Sequence, residues 1–345
     1  MTAAAGGRWH TWLPWIGALL GVAVLAWVLR GFDLDRFFAV VANADTRFLL
    51  LIPFAIAAEQ LLRAWKWRQL LFPMRPVGTF PLFSAIMAAS LAGMLIPFGF
   101  GALVRAWLVA RREDLTTSGV LATIALDRLT DGLVFAVLVP VALLMVAFPD
   151  PTGSIRAVLA WGAGGSFTLF VLLLLALAAY KQSALRAGGW PMRLLERLPA
   201  RVAALVDRFA ASFAHGIVWP GELWRSFAIV FAAMAMKLLA ATHFFWVGLT
   251  FGVTLRPGEY LFLMVFFGFI VILGRFARIP GRFLIGAVFA LGLFGVAEEP
   301  ALAMALLLQA SSLLTFAGLG AIALWHQGVA LADLRVAVQK NAATG

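Results

Sequence analysis

Four ionisable residues lie inside long apolar stretches of this sequence. Asp127, Arg128 and Asp131 share the apolar run 119–148, and Lys237 lies in a later run. If these runs cross a membrane, each charge costs about 2.5–3.5 kcal/mol at the centre of the bilayer. A cost of that size indicates that the four residues have a role at that depth.

Two arrangements of these charges are compatible with their spacing. Asp127 and Asp131 are one helical turn apart and share a face, whereas Arg128 points about 100° away from Asp127. In the first arrangement the cluster lines a polar path for a lipid headgroup. In the second it is a buried ion-pair network in which Lys237 supplies the cation and fixes one helix against its neighbour.

A further charged pair precedes this cluster in the sequence. Glu59 lies four residues before Arg63, at the spacing of an ion pair on a helix surface. The pair either stabilises its own helix, or Arg63 forms an amphipathic collar at the membrane interface with Trp65, Trp67 and Arg68.

Arginines also accompany two interruptions of the apolar pattern by proline and glycine. The first group is Pro97, Gly99, Gly101 and Arg105, and the second is Arg275, Arg278, Pro280, Gly281 and Arg282. A guanidinium beside a helix end suits phosphate, because it offers forked donors and the helix N-terminus adds partial positive charge. The chemistry predicted for both groups is binding of an anionic phospholipid or a polyprenyl phosphate. The alternative is that the arginines only anchor cytoplasmic loops.

The composition places these residues in a polytopic membrane protein. Of the 345 residues, 63% are hydrophobic and 12% are charged, whereas a soluble domain is about one quarter charged. The net charge of +11 comes from basic residues at the ends of apolar runs, which argues against nucleic-acid binding. The absence of cysteine excludes disulfides and thiolate metal sites, and the four histidines are far apart. We therefore predict no metal and no cofactor.

The apolar runs predict an all-α integral membrane protein with about six full spans and two re-entrant helical hairpins. The predicted spans are 12–30, 47–63, 117–148, 154–180, 222–251 and 300–326, and the hairpins are 77–111 and 258–297. Basic residues concentrate in 63–75 and 181–225, which predicts that these segments and both termini are cytoplasmic.

The two hairpin regions resemble each other at an offset of 183 residues. Ile96-Pro97 aligns with Ile279-Pro280, and Phe100 aligns with Phe283. The match predicts an inverted repeat of the kind found in secondary transporters, with a chance match of apolar sequence as the alternative. The predicted domain is therefore one membrane domain, divided into a first half 1–180, a linker 181–221 with an interfacial amphipathic helix 191–214, a second half 222–326 and a cytoplasmic tail 327–345.

Three motifs in order complete the pattern. They are LRAWKWRQLL at 62–71, LIPFGFG at 95–101 followed by VRA at 104–106, and LDRLTD at 126–131. Together they resemble the flippase-like membrane domain of lysylphosphatidylglycerol synthases, over roughly residues 12–326. The resemblance implies an α-helical lipid translocase domain with a headgroup cavity. The candidate cavity or gating residues that it carries over are Arg63, Trp67, Pro97, Arg105, Asp127, Arg128 and Asp131.

The sequence also departs from that family. Its 345 residues leave no room for a soluble aminoacyl transferase domain, so we expect no aminoacyl-lipid synthesis and no enzyme activity. After Pro280 and Gly281, where the family shows a glycine-rich turn and then an acid, the next acid is Glu298. The function expected is transport of an anionic lipid across the bacterial inner membrane. The alternative is a lipid-binding scaffold or regulator of an envelope glycosyltransferase or a lipid-modifying enzyme. A homo-oligomer is a further expected partner.

Overall fold

Helices are the regular secondary structure of the described part of the chain. The computed structural model describes residues 33–95, 101–146, 150, 153–184, 200–277 and 281–328, and these residues contain no strand. The helices are α1 Leu34–Ala42, α2 Leu51–Leu71, α3 Thr79–Leu95, α4 Gly101–Glu113, α5 Thr117–Met145, α6 Ser154–Ala184, α7 Ala200–Gly216, α8 Leu223–Thr250, α9 Pro257–Ala277, α10 Arg282–Gly292 and α11 Glu298–Gln327, with a 3₁₀ turn at Thr46–Phe48. The predicted all-α class is confirmed.

Among the described residues, five stretches of helix are long and apolar enough to cross a membrane. They are Thr46–Leu71, Thr117–Met145, Ser154–Ser183, Leu223–Thr250 and Glu298–Gln327, and they coincide with five of the six predicted spans. Each has at least 26 residues, and about 20 suffice to span the hydrocarbon core. The protein is therefore a multi-pass membrane protein. The predicted first span, 12–30, lies outside the described residues.

Two pairs of shorter helices occupy the predicted hairpin regions. In the first pair, Arg75 before α3 is 3.9 Å from Glu113 at the end of α4, so α3 and α4 run antiparallel. Gly101 at the start of α4 lies against the backbone oxygen of Ala89, where a Cβ would be only 3.2 Å away. Gly101 thus permits the close approach near the turn. Pro97 and Gly99 lie outside the described residues.

The second pair, α9 and α10, is held by aromatic rings. Phe262 contacts Phe294 with ring centroids 5.5 Å apart, and Phe267 contacts Phe283 at 4.9 Å, so these helices are also antiparallel. Gly281 precedes α10 with φ +68°, a left-handed conformation that favours glycine. Whether either pair enters a membrane and returns stays a prediction.

The chain divides into two compact units, and each draws residues from both predicted halves. One contains residues 1–52, 142–150 and 241–310, and the other contains 53–141, 151–240 and 311–345. The core of the second unit is built from side chains of α2 to α5 with contributions from α8 and α11, among them Trp67, Leu82 and Ile229, which are completely buried. The six charged residues of the network described below all belong to the second unit.

One sequence interpretation is wrong at the end of α2. Residues 63–71 were expected to begin a basic cytoplasmic loop, but α2 continues to Leu71. Lys66 and Trp67 on this last part of the helix are completely buried. The apolar run ends at 63 in the sequence because charges follow it, yet Arg63 and Lys66 are paired with carboxylates inside the protein. They cannot be counted as loop charges when orientation is predicted.

The end of α2 is also joined to the start of α8 by a buried arginine. Arg225 donates through Nη1 to Gln69 Oε1 at 2.8 Å and through Nε to Glu222 Oε2 at 3.0 Å. Its guanidinium also lies 3.3 Å from the centroid of the Phe72 ring. These contacts fix the α2–α8 pair at one end.

The predicted amphipathic helix 191–214 is described from residue 200 onward as α7. It packs against the end of α6, where Tyr180 donates to the Ala210 oxygen at 3.1 Å and Lys181 donates to the Ile217 oxygen at 2.7 Å. Helix formation is thus confirmed for the described part. Its position at a membrane interface stays a prediction.

Candidate functional site

The second unit contains a network of six charged side chains, contributed by α2, α4 and α5. Its members are Glu59, Arg63 and Lys66 on α2, Arg105 on α4, and Asp127 and Asp131 on α5. Residues i, i+4 and i+7 share one face of a helix, so the α2 residues all point toward α5. None of the six side chains is more than 13% exposed.

Lys66 is the centre of this network. Its side chain is completely buried, and its Nζ lies 3.1 Å from Asp127 Oδ1 and in direct contact with Asp131 Oδ1. It also donates to the backbone oxygen of Asp127 at 2.9 Å. Thr130 donates to the same backbone oxygen at 2.9 Å. One ammonium group therefore joins both carboxylates of α5 to α2.

Arg63 connects the same carboxylates to the preceding turn of α2. Its Nη1 donates to Asp131 Oδ2 at 3.2 Å and its Nη2 donates to Glu59 Oε1 at 3.1 Å. Its Nε donates to Gln60 Oε1, also at 3.1 Å. The predicted Glu59–Arg63 pair is present, and Arg63 extends it to Asp131 on another helix. Every guanidinium nitrogen of Arg63 is thereby satisfied.

Arg105 is held differently. Its Nη1 is 3.4 Å from Asp127 Oδ2, and its guanidinium stacks 3.7 Å from the centroid of the Trp67 ring. Trp67 in turn donates through its indole N–H to Thr123 Oγ1 at 3.0 Å, and Thr123 donates to the Val120 oxygen at 2.8 Å. The Nε and Nη2 of Arg105 are buried and have no hydrogen-bond partner in the described part of the protein.

The six charges cancel, since three carboxylates face three cations. Two further cations are on the same helices or close to them. Arg128 is exposed on α5, and Lys237 on α8 is half-buried, with its Nζ 5.7 Å from the centroid of the Phe135 ring.

The predicted network therefore exists with a different central cation. Within the described part of the chain, Lys237 forms no ion pair, and Lys66 occupies the position that the sequence interpretation gave to Lys237. The sequence signal for Lys66 was its spacing from Glu59 and Arg63 along one helix face. That signal was missed because Lys66 was assigned to a loop. Gln60 and Thr123 were also missed, since neither carries a charge.

The second predicted group of arginines is only partly described. Arg275 is in α9 and Arg282 begins α10, while their side chains lie outside the described residues. Arg278 and Pro280 lie outside them as well. The phosphate site predicted for this group stays a prediction.

Comparison with known proteins identifies the family. Residues 15–320 match the family described as "Lysylphosphatidylglycerol synthase TM region". No curated protein and no solved structure matches the chain. Because the match covers most of the 345 residues, and the motifs that form the buried network lie within it, the chain belongs to the family of lysylphosphatidylglycerol synthase transmembrane regions.

Proposed function

We propose that this protein moves an anionic lipid, either a phospholipid or a polyprenyl-phosphate-linked lipid, between the leaflets of the bacterial inner membrane. The observation that carries the proposal is the network of six buried charges within apolar helices. In this proposal both termini are cytoplasmic, and the protein binds and moves lipid without changing it chemically.

The energetics favour a functional reason for the network over a purely structural one. Buried ion pairs contribute little net stability, because desolvation of the charges offsets much of their attraction. Apolar side chains of similar size on α2 and α5 would join the helices at lower cost. Ionisable groups at membrane depth mark substrate or ion paths in many transporters.

The charges also suit exchange of partners during transport. Lys66 contacts two carboxylates, and Asp127 contacts two cations, Lys66 and Arg105. A lipid phosphate that binds one of these cations leaves its former carboxylate with a second cation. The headgroup then enters without leaving a buried charge unpaired. The sequence contains no nucleotide-binding loop, so we propose that ion or lipid gradients supply any energy required.

A second candidate is a lipid-binding scaffold or regulator of an envelope glycosyltransferase or lipid-modifying enzyme. The observation that favours it is that all three carboxylates are already paired. A closed network of this kind can also hold helices rigidly. The two candidates differ in whether lipid crosses the bilayer.

The test is a leaflet-exchange assay on the purified protein in liposomes. Fluorescent phosphatidylglycerol and fluorescent phosphatidylcholine are placed in both leaflets, and the outer label is destroyed with dithionite. The variant Lys66→Met with Asp131→Asn removes one cation and one anion, so the network stays neutral. The matched control, Asp33→Asn with Arg36→Gln, removes an exposed ion pair of 3.2 Å.

We expect wild type and control to move the labelled phosphatidylglycerol from the inner to the outer leaflet, where dithionite destroys it. We expect the network variant to stay folded and to move this lipid at least tenfold more slowly. If wild type moves neither lipid, translocation is wrong and the scaffold proposal replaces it. If the network variant moves lipid at the wild-type rate, the network is a structural contact between helices.

A further inference from the structure

The geometry points to a binding site for one oxyanion at the Nε and Nη2 edge of Arg105, with Trp67 and Thr123 as the residues that position it. This inference rests on the proposed function, because it assigns the group that recognises the lipid phosphate. The inference names the two donor atoms that bind the phosphate, Arg105 Nε and Nη2, and the residues that orient them.

The two unpartnered nitrogens of Arg105 form one edge of the guanidinium. Nε–H and the adjacent Nη2–H are parallel, and such a fork binds two oxygens of a carboxylate or phosphate at once. Nη1, on the other side, is already directed to Asp127 Oδ2 at 3.4 Å. The side chain is 5% exposed, and buried donors of this kind are normally satisfied. A fork left open in a buried position is suited to a ligand.

The orientation of this fork is set by a chain of three side chains. Thr123 accepts from the Trp67 indole at 3.0 Å, which fixes the plane of the ring. The guanidinium carbon of Arg105 lies over that ring, 3.7 Å from its centroid, so the ring restrains the position of the guanidinium. Trp67 is completely buried, as is Thr123. Neither residue touches the oxyanion in this scheme; both act through Arg105.

The charges around the fork favour an anionic ligand over a neutral one. Arg105 has one paired carboxylate, Asp127, which is shared with Lys66. When an oxyanion binds to the fork, Arg105 is paired with the oxyanion, and Asp127 stays paired with Lys66. Neither Arg105 nor Asp127 is then left without a partner of opposite charge. The shared chemistry is a phosphate oxyanion, which is found in a lipid headgroup and in free phosphate.

The experiment measures lipid binding by native mass spectrometry of the full chain in mild detergent. Dioleoyl phosphatidylglycerol is titrated alone and in the presence of inorganic phosphate. The variants are Arg105→Gln, which removes the fork, and Arg105→Lys, which keeps the charge and loses the fork. Arg111→Gln is the control, since Arg111 is an exposed arginine on the same helix.

We expect both Arg105 variants to weaken phosphatidylglycerol binding at least tenfold, and Arg111→Gln to leave it within twofold. Lipid binding that persists in millimolar phosphate identifies the lipid headgroup as the source of the oxyanion. If micromolar inorganic phosphate abolishes lipid binding, free phosphate is the source of the oxyanion. Wild-type affinity in Arg105→Lys overturns the fork, because charge alone then suffices.

Thr123 provides the test of positioning. Thr123→Val removes the acceptor for Trp67 and should weaken lipid binding three- to tenfold, whereas Thr123→Ser should restore it. A role confined to stability would instead lower the thermal midpoint and leave the affinity of the folded protein unchanged. That result would overturn the positioning role.

The outcomes separate this inference from the proposed function. If binding depends on Arg105 but wild type does not move lipid between leaflets, the fork is correct and translocation is wrong. If wild type moves lipid and the Arg105 variants bind it normally, the fork is wrong and translocation stands.

Discussion

Replacing Lys66 by methionine tests whether one buried cation holds α2 and α5 together. Methionine has a similar length and fills the same space without a charge. The substitution removes two ion pairs, to Asp127 and Asp131, and the hydrogen bond to the backbone oxygen of Asp127. Removing one partner of a buried ion pair costs about 3–5 kcal/mol of unfolding free energy.

The structure places the expected loss at the lower end of that range. After the substitution, Asp131 keeps Arg63 at 3.2 Å and Asp127 keeps Arg105 at 3.4 Å. Neither carboxylate is left alone, so we expect Lys66→Met to lower the free energy of unfolding by about 3 kcal/mol.

A second substitution shows whether the loss comes from charge imbalance. Asp131→Asn in the Lys66→Met background restores neutrality, and Arg63 keeps Glu59 at 3.1 Å. We expect the double variant to regain at least half of the stability lost by Lys66→Met. Measured against both single variants, the two substitutions should therefore be coupled by at least about 1.5 kcal/mol, as for residues in one network.

The assay is reversible unfolding in mixed micelles with increasing sodium dodecyl sulfate, followed by circular dichroism. Arg68→Met is the control, because Arg68 is an exposed basic residue of the same helix and should change stability by less than about 0.5 kcal/mol. A loss below 1 kcal/mol in Lys66→Met, with no coupling to Asp131→Asn, would refute the central role of Lys66.

Two glycines give further predictions at helix contacts. A Cβ on Gly132 would overlap the ring of Phe170, so Gly132→Ala should lower the free energy of unfolding by about 1–3 kcal/mol. Adding Phe170→Leu to this variant should restore part of the loss. Gly164→Ala is the control, since nothing lies within 4 Å of its Cβ position. Gly216→Ala should cost more than Gly132→Ala, because its Cβ would meet backbone atoms of Gly119, including Cα at 2.7 Å, which cannot rotate away. Equal thermal midpoints for Gly132→Ala and Gly216→Ala would contradict this ranking.

The sequence predicted the helices better than it predicted the ion pairs. Long apolar runs give spans directly, because length and hydropathy are properties of one segment. Beside the two predicted interruptions, helices begin at Gly101 and at Arg282. Helical spacing predicted that Asp127 and Asp131 share a face, and both contact Lys66.

The identity of the central cation was beyond such reasoning. A hydropathy pattern predicts the end of a span where charges begin, so it assigns Lys66 to a loop together with the other basic residues of 63–75. Its neutralisation depends on two carboxylates that are 61 and 65 residues away in sequence. Which of two distant cations, Lys66 or Lys237, reaches these carboxylates is decided by helix packing, and a single sequence does not contain that information.

The order of short and long helices occurs twice along the chain, whereas the charge network of the described part takes residues from only one of the two helix sets. Helices α3, α4 and α5 begin at 79, 101 and 117, and α9, α10 and α11 begin at 257, 282 and 298, so a short–short–long order occurs twice at nearly constant offset. At the offset of 183 residues, Arg105 corresponds to Val288 and Asp127 corresponds to Ala310.

The network residues Arg105, Asp127 and Asp131 of the first set thus have apolar counterparts in the second. Helix order is maintained by apolar packing, which tolerates many substitutions, whereas a buried charge is retained only where a partner and a use exist. The residues of the second set that correspond to Arg105, Asp127 and Asp131 are Val288, Ala310 and Leu314, so they cannot replace the network. Under the proposed function, loss of the network should therefore weaken lipid binding at least tenfold, because the corresponding positions of the second set carry no charge.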